Sequence, residues 1–251
     1  MSWETLHTIA AGGVAPHVTE LGDALHRAGH EVHIFTRSTD QGRTWTHPVW
    51  GVMYHEVSFG CNSDFVCEIE NMCHAFVGAV KQFEGLDGPF DIIHGHDWLV
   101  GPAITELQAS GKRCIFTMHS TETGRCGNVQ YAGQSARIRS IEGHACHVAE
   151  RVIAVSGVLK EEVCSHYSVH GAKMEVIYNG IHAEPIANMP WEDAWTGNTK
   201  KDKGFDVMAP MFLFVGRLAV QKGPDLLLDA IPMILQARGD AKFVIVGDGH
   251  M

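Results

Sequence analysis

Between Phe90 and Tyr178, short apolar runs alternate with longer stretches of helical periodicity, and few folds accommodate that alternation. The spacing predicts strands over Phe90–His94, Arg113–Met118, Arg151–Val155 and Met174–Tyr178. Between them it predicts helices over Leu99–Ala109, Gln134–Ala149 and Val158–His166. Strands joined through helices of this length pair in parallel, with the crossovers packed on both faces of one sheet. The predicted strands run out into His96–Asp97, His119–Ser120–Thr121, Ser156 and Asn179–Gly180. Open α/β sheets bind ligands just outside the carboxyl ends of their strands. Polar residues also populate such connections for no functional reason, so each alone is consistent with a plain loop.

Ahead of this region, Gly12–Gly13–Val14–Ala15–Pro16–His17–Val18 forms a glycine turn leading into an amphipathic helix. Val14, Val18, Leu21, Leu25 and Ala28 make its apolar stripe, and Thr19, Glu20, Asp23 and Arg27 are expected to face away. Gly29 stops the helix and Glu31–Thr36 follows as a strand. Paired glycines let a backbone approach a ligand, and the free N–H groups of a first helical turn attract anions, so the stretch suits a phosphate. Pro16 fits a first turn, where a missing N–H costs nothing. The same glycines also suit a simple tight turn. Only Met1–Ser2–Trp3 is left to form the strand that should precede the glycine loop. Ser38–Val49 reads as a loop, Val52–Phe59 as a strand, and Asp64–Glu84 as a long helix whose stripe Phe65, Ile69, Met72, Phe76, Val80 and Phe83 is core.

With 251 residues, 45% of them hydrophobic, the chain can bury a sizeable core. A formal charge of −10 argues against nucleic acid or an anionic membrane as the main partner. No apolar run is long enough to span a bilayer, and Met1–Ser2–Trp3–Glu4 lacks the features of a signal peptide, so the cytoplasm is the expected location. Seven scattered cysteines without a Cys-x-x-Cys pair read as reduced thiols. Among seventeen histidines, His94-x-His96–Asp97 and His144-x-x-His147 invite a metal reading. Neither has the ligand set of structural zinc or of a metallohydrolase, so no metal is expected.

The stretch 183–210 is rich in proline, glycine and lysine, without periodicity, and reads as a linker between a first domain, 1–182, and a second, 211–251. The second begins with strand Met211–Val215, loop Gly216–Gly223, helix Asp225–Ala237 and strand Lys242–Val246. One such unit leaves apolar faces uncovered, so Phe212, Phe214, Leu226, Leu227, Ile231, Phe243 and Ile245 are expected to be partly exposed. In Phe214–Gly223, Arg217 and Lys222 leave the same strand together with flanking glycines, which suits an anionic diphosphate. Two solvated loop cations are the plainer reading.

Taken together, Gly-Gly-Val-Ala-Pro-His-Val, His-Asp-Trp at 96–98, Phe-Thr-Met-His at 116–119, Val-Ile-Ala-Val-Ser at 152–156, Tyr-Asn-Gly-Ile at 178–181 and Val-Gly-Arg-Leu…Gln-Lys-Gly resemble the family-four GT-B glycosyltransferases, nearest to the glycogen and starch synthase-like branch. The resemblance implies two Rossmann-like domains, here a first parallel-sheet domain whose opening strand looks cut short, followed by a truncated second one, with an active site between them. It implies retaining transfer of glucose from a nucleotide-diphosphate sugar, UDP- or ADP-glucose, to a glycan or small-sugar acceptor, with no cofactor and no metal. Carried over by motif, Arg217 and Lys222 would hold the donor diphosphate and stabilise it as leaving group. Gly12 and Gly13 would approach the same phosphates, His119 would sit beside the transferred sugar, and His96, Asp97 and Trp98 would shape the acceptor side.

Three departures accompany the match. Ala10 stands where ADP-glucose-using bacterial relatives carry lysine, and His182 where aspartate is usual after Asn-Gly-Ile. The Glu-x7-Glu segment that contacts sugar and nucleotide would lie beyond Met251, so these 251 residues alone are expected to be inactive. A sugar- or nucleotide-binding relic without transfer, or a GT-B epimerase or hydrolase, would use the same framework.

Overall fold

A computed structural model describes residues 1–7, 12–40, 42–129, 132–188, 200–201, 204–249 and 251. Ala10 and much of the 183–210 stretch therefore lie outside the described residues. The chain divides into two compact units, Met1–Ile181 and His182–Met251.

The first unit runs α1 (Val14–Arg27), β1 (His33–Arg37), β2 (Trp45–Val49), β3 (Val52–Val57), α2 (Phe65–Asp87), β4 (Ile93–His96), α3 (Gly101–Ala109), β5 (Cys114–Met118), α4 (Glu122–Arg125), α5 (Gln134–Val148), β6 (Arg151–Ala154), α6 (Gly157–Tyr167) and β7 (Met174–Val176). Strands β4-β5-β6-β7 pair in that order, all parallel, as the alternation requires. A second sheet has the order β1-β3-β2, with β1 parallel and β2 antiparallel to β3. The first residues join the two sheets. The Met1 amine donates to His94 O at 2.6 Å and His96 N to Met1 O at 3.1 Å, while Ser2 N donates to Phe35 O at 3.1 Å. Met1–Ser2 thus occupies the place of a central strand between β1 and β4, the position expected for it.

Three local expectations change. Ser38–Val49 contains β2, an edge strand, which is where a ladder tolerates Pro48. Its turn into β3 is Trp50–Gly51, with φ of 50° and 88°, the two positive values of a tight hairpin. A Cβ on Gly51 would also stand 2.1 Å from the His26 ring. Strand β4 begins at Ile93 rather than Phe90, because Phe90 stacks on Phe83 (5.5 Å) and its N–H goes to Glu84 Oε1 (3.1 Å), outside the ladder. Helix α1 buries Ala15, Val18, Thr19 and Gly22, whereas Leu25 is 37% exposed. Small residues on this face let the helix lie close to Ile34, and Thr19 is satisfied there by donating to Ala15 O at 2.9 Å and accepting from Leu6 N at 3.0 Å.

Helix α2, capped by Asp64 accepting from Cys67 N, carries Ile69, Met72, Phe76 and Val80 of the predicted stripe into the core, where Ile69, Met72 and Phe76 join Ile104, Leu107 and Phe116, whereas Phe65 in its first turn is 41% exposed. All seven cysteines are free thiols. Among the described residues no helix is long and apolar enough to cross a membrane.

The second unit contains α7 (Glu184–Ala187), β8 (Met211–Val215), α8 (Pro224–Ala237) and β9 (Lys242–Val246), with β8 and β9 parallel. Phe212 is 41%, Leu226 71% and Ile245 41% exposed, and Phe214, Leu227, Ile231 and Phe243 are half-buried.

Candidate functional site

Strand β4 reads Ile93–His94–Gly95–His96, so its two histidines point to one face and Gly95 to the other. On the Gly95 side α3 comes so near that a Cβ there would stand 2.6 Å from Ile104 Cγ1. On the opposite face the His94 and His96 rings stack at 4.2 Å, and His94 Nε2 lies 2.7 Å from Thr117 Oγ1. Next to β4, strand β5 ends at Met118, which places His119 beside His96, with Nε2 3.3 Å from His96 Nδ1. The first turn of α1 adds His17, whose ring centroid is 4.9 Å from that of His119 and 5.3 Å from that of His96. One ring nitrogen from each of His17, His96 and His119 lies within 4.8 Å of the others.

Burial holds these rings neutral. It pushes the pKa of His119 down to about 4 and of His94 down to about 3, with neighbouring histidines adding to the shift, and it lowers His96 well below the ordinary histidine value. His17 is lowered for the same reason, partly offset by Glu20.

Asp97 follows β4 with φ 64° and ψ 169°, a region almost reserved for glycine, whose occupation costs on the order of 1–3 kcal/mol. Its N–H donates to Thr117 O (2.8 Å) and its carboxylate accepts from Trp98 N (3.0 Å). Arg125 of α4 lies 3.7 Å from the same carboxylate and also bonds Glu122 (3.1 Å), the fully buried Glu142 (2.5 Å) and Ser120 Oγ (2.8 Å). Glu142 accepts in addition from Glu122 N and Tyr167 OH. Burial raises the Asp97 and Glu142 carboxyls despite the guanidinium beside them. Asp97 is therefore turned away from the imidazoles and held by a buried cation. Trp98, expected to shape the acceptor side directly, is 6% exposed, with its ring edge-on to Phe65 at 5.9 Å. It acts as a core anchor for the turn. Ser156, another polar strand end, caps α6 by accepting from Leu159 N at 3.1 Å.

Gly12 and Gly13 are exposed at the start of α1, and Gly13 caps it without a side-chain bond. Neither has a positive φ among the described glycines; a Cβ on Gly13 would meet nothing within 4 Å, which leaves access to the helix amides there, whereas one on Gly12 would stand 3.3 Å from Glu4 Oε1. A cavity of about 500 Å³ reaches His94 and His96 from the other side, but Leu25, Val32, Phe83, Phe90 and Ile92 place most of its lining at the amino ends of the strands. Ligands of open α/β sheets bind at the opposite ends, which favours the histidine side.

In the second unit, Arg217 follows β8 after Gly216, and Lys222 closes a 3₁₀ turn, Val220–Lys222, before Gly223 at φ 66° opens α8. Both side chains are exposed, and among the described residues neither has an ion-pair partner. The connection is pinned from beside, with Gly216 N donating to Val246 O at 3.0 Å and Leu218 N to Asp248 O at 2.9 Å. His182, at the unusual position after Asn-Gly-Ile, lies 3.6 Å from Glu184 on the surface.

Parallel strands whose carboxyl ends gather an uncapped helix start and a wall of imidazoles define an open α/β ligand-binding protein. The Glycosyltransferase Family 4 model matches residues 11–185 and the Glycosyl transferases group 1 model residues 196–251. An uncharacterized glycosyltransferase of Methanocaldococcus jannaschii is 35% identical over 253 residues, covering 100% of this chain and 63% of its own length. A glycogen synthase of Mycobacterium tuberculosis is 27% identical over 266 residues, with 99% and 61% covered. The structure resembles sucrose-phosphate synthase from Thermosynechococcus elongatus with a TM-score of 0.75 at 24% identity, over 98% of this chain and 61% of that one. The chain belongs to glycosyltransferase family 4 and has the GT-B fold. It spans 63% and 61% of the length of these two curated relatives.

Proposed function

We propose that the protein transfers glucose, with retention, from UDP- or ADP-glucose to a glycan or small-sugar acceptor, in the manner of a glycogen or starch synthase. The observation that carries this reading is the convergence of His119 and His96 at adjacent strand ends with the uncapped start of α1, at the end of the sheet where such folds bind ligands. In the reaction, the bond from the anomeric carbon to the diphosphate oxygen breaks, a bond to the acceptor hydroxyl oxygen forms, and the hydroxyl proton passes to the departing diphosphate. Negative charge grows on the departing diphosphate. Arg217 and Lys222 would neutralise it, and the amides following Gly12 and Gly13 would donate to it. His119 would stand beside the sugar, with Asp97 and Arg125 fixing the turn that orients His96. The step calls for no cofactor and no metal. The Arg217–Lys222 loop rests on a unit with exposed apolar faces, and a charge clamp works only when its support holds it to within about half an ångström.

The test is glucose transfer from each donor to glycogen by the protein with a complete second domain. Transfer from one donor supports the reading. Nucleotide-sugar binding in calorimetry without transfer would assign a binding role instead.

A further inference from the structure

Helix α1, strand β4 and the end of β5 each send one imidazole to a common point, and among the described residues no carboxylate is grouped with them: Asp97 bonds Trp98 N and lies 3.7 Å from Arg125. What the three rings share is lone pairs. The 3.3 Å between His96 Nδ1 and His119 Nε2 already equals the nitrogen–nitrogen edge of a tetrahedral site with bonds of about 2.0–2.1 Å, which is about 3.3 Å. The third ring needs only a small side-chain rotation, since all three nitrogens lie within 4.8 Å of one another. We propose that His17, His96 and His119 form a binding site for a zinc-class divalent transition metal, with the fourth position open to solvent.

Several features support this assignment. His94, itself bonded to Thr117, stacks on His96 at 4.2 Å and so restrains the central ring. His17 and His119 are half-buried, which leaves one side of the triad accessible. The positive end of α1 opposes a cation and favours an anionic fourth ligand, so affinity falls below that of a closed structural zinc site. The site itself stands on geometry and not on the sugar-transfer reading. Its consequence does rest on that reading: a metal on His119 occupies the ring placed beside the sugar, so the ion would inhibit transfer.

Cobalt(II) titration of the metal-stripped 251-residue chain tests the site without any activity assay, so its failure would leave the transfer reading intact. The expected result is one cobalt per chain, with the visible bands of a low-coordinate imidazole site, no thiolate-to-cobalt band, and displacement by zinc. H17Q and H119Q should each weaken binding by about ten- to a hundredfold or more, judging from the loss caused by even outer partners. The double variant H144N/H147N should bind as before. Circular dichroism checks folding, and H17Q alone decides the matter if H119Q does not fold. Absence of bound cobalt, binding that survives H17Q, or a thiolate band pointing to the cysteines would overturn the proposal.

Discussion

The first unit assembles its candidate site from residues far apart in sequence, while the second carries its candidate site on one short connection. His17, His96 and His119 meet where the first turn of α1 lies against the ends of the paired strands β4 and β5, with His96 buried and the other two half-buried. Arg217 and Lys222 are five positions apart, exposed, and held by local turns. The contrast teaches where each kind of site is vulnerable. A wall built by tertiary contacts fails when the core shifts, whereas a loop of cations loses function without losing fold.

The largest effect is expected at Arg125. R125A leaves the carboxylates of Glu142, Glu122 and Asp97 buried without their cation, and breaking such a pair costs about 3–5 kcal/mol. Chemical denaturation of the first unit would register it, and an unchanged midpoint would mean that the network is not a structural support. R217A sharpens the other side of the comparison. In the protein with a complete second domain it should lower turnover by about two to three orders of magnitude while leaving the unfolding midpoint in place. Near-normal kcat would remove Arg217 from the clamp. G95A should be intermediate, because the new methyl group meets Ile104 at 2.6 Å, and overpacking of this kind costs about 1–3 kcal/mol. The same variant should disturb the His94–His96 stack on the far face of β4.

A smaller effect separates the units by pH. His55, His94 and His119 have folded pKa values near 4, 3 and 4, depressed by burial, against an ordinary value of 6.5. The unfolded chain therefore binds more protons in this window. Their contribution to stability is intact above pH 6.5 and drains away as pH falls toward about 4. The raised carboxyls of Asp97 and Glu142 act in the opposite sense, so the loss is read best just below pH 6.5. Hydrogen exchange at pH 7 and pH 5.5 should show lower protection in the first unit and little change in α8. Equal loss in both units would contradict the assignment. The smallest effect expected is that of EDTA on transfer, which should be none or a slight rise if adventitious metal had occupied the triad. Loss of activity restored by a divalent ion would make the metal part of the reaction.

The sequence alone determined the parallel α/β architecture, the helix of α2 with its core stripe, and the strand ends from which His96, Asp97 and His119 emerge. These follow from periodicity and turn residues, which act over a few positions. It also exposed Arg217 and Lys222 as a pair, because their neighbourhood is local. Tertiary structure decided the rest. That His17 joins His96 and His119 depends on which face α1 lays on the sheet, and Ala15 and Gly22 allow a close approach that the stripe of larger apolar residues did not signal. Pairing with β3 made a strand of Trp45–Val49 despite Pro48. The aromatic packing of Phe90 moved the start of β4, and the hydrophobic core of the first unit drew in Trp98. In each case a contact between distant residues outweighed a local preference, since burial contributes about 1.5–3 kcal/mol for a large side chain and local propensities only tenths to about one.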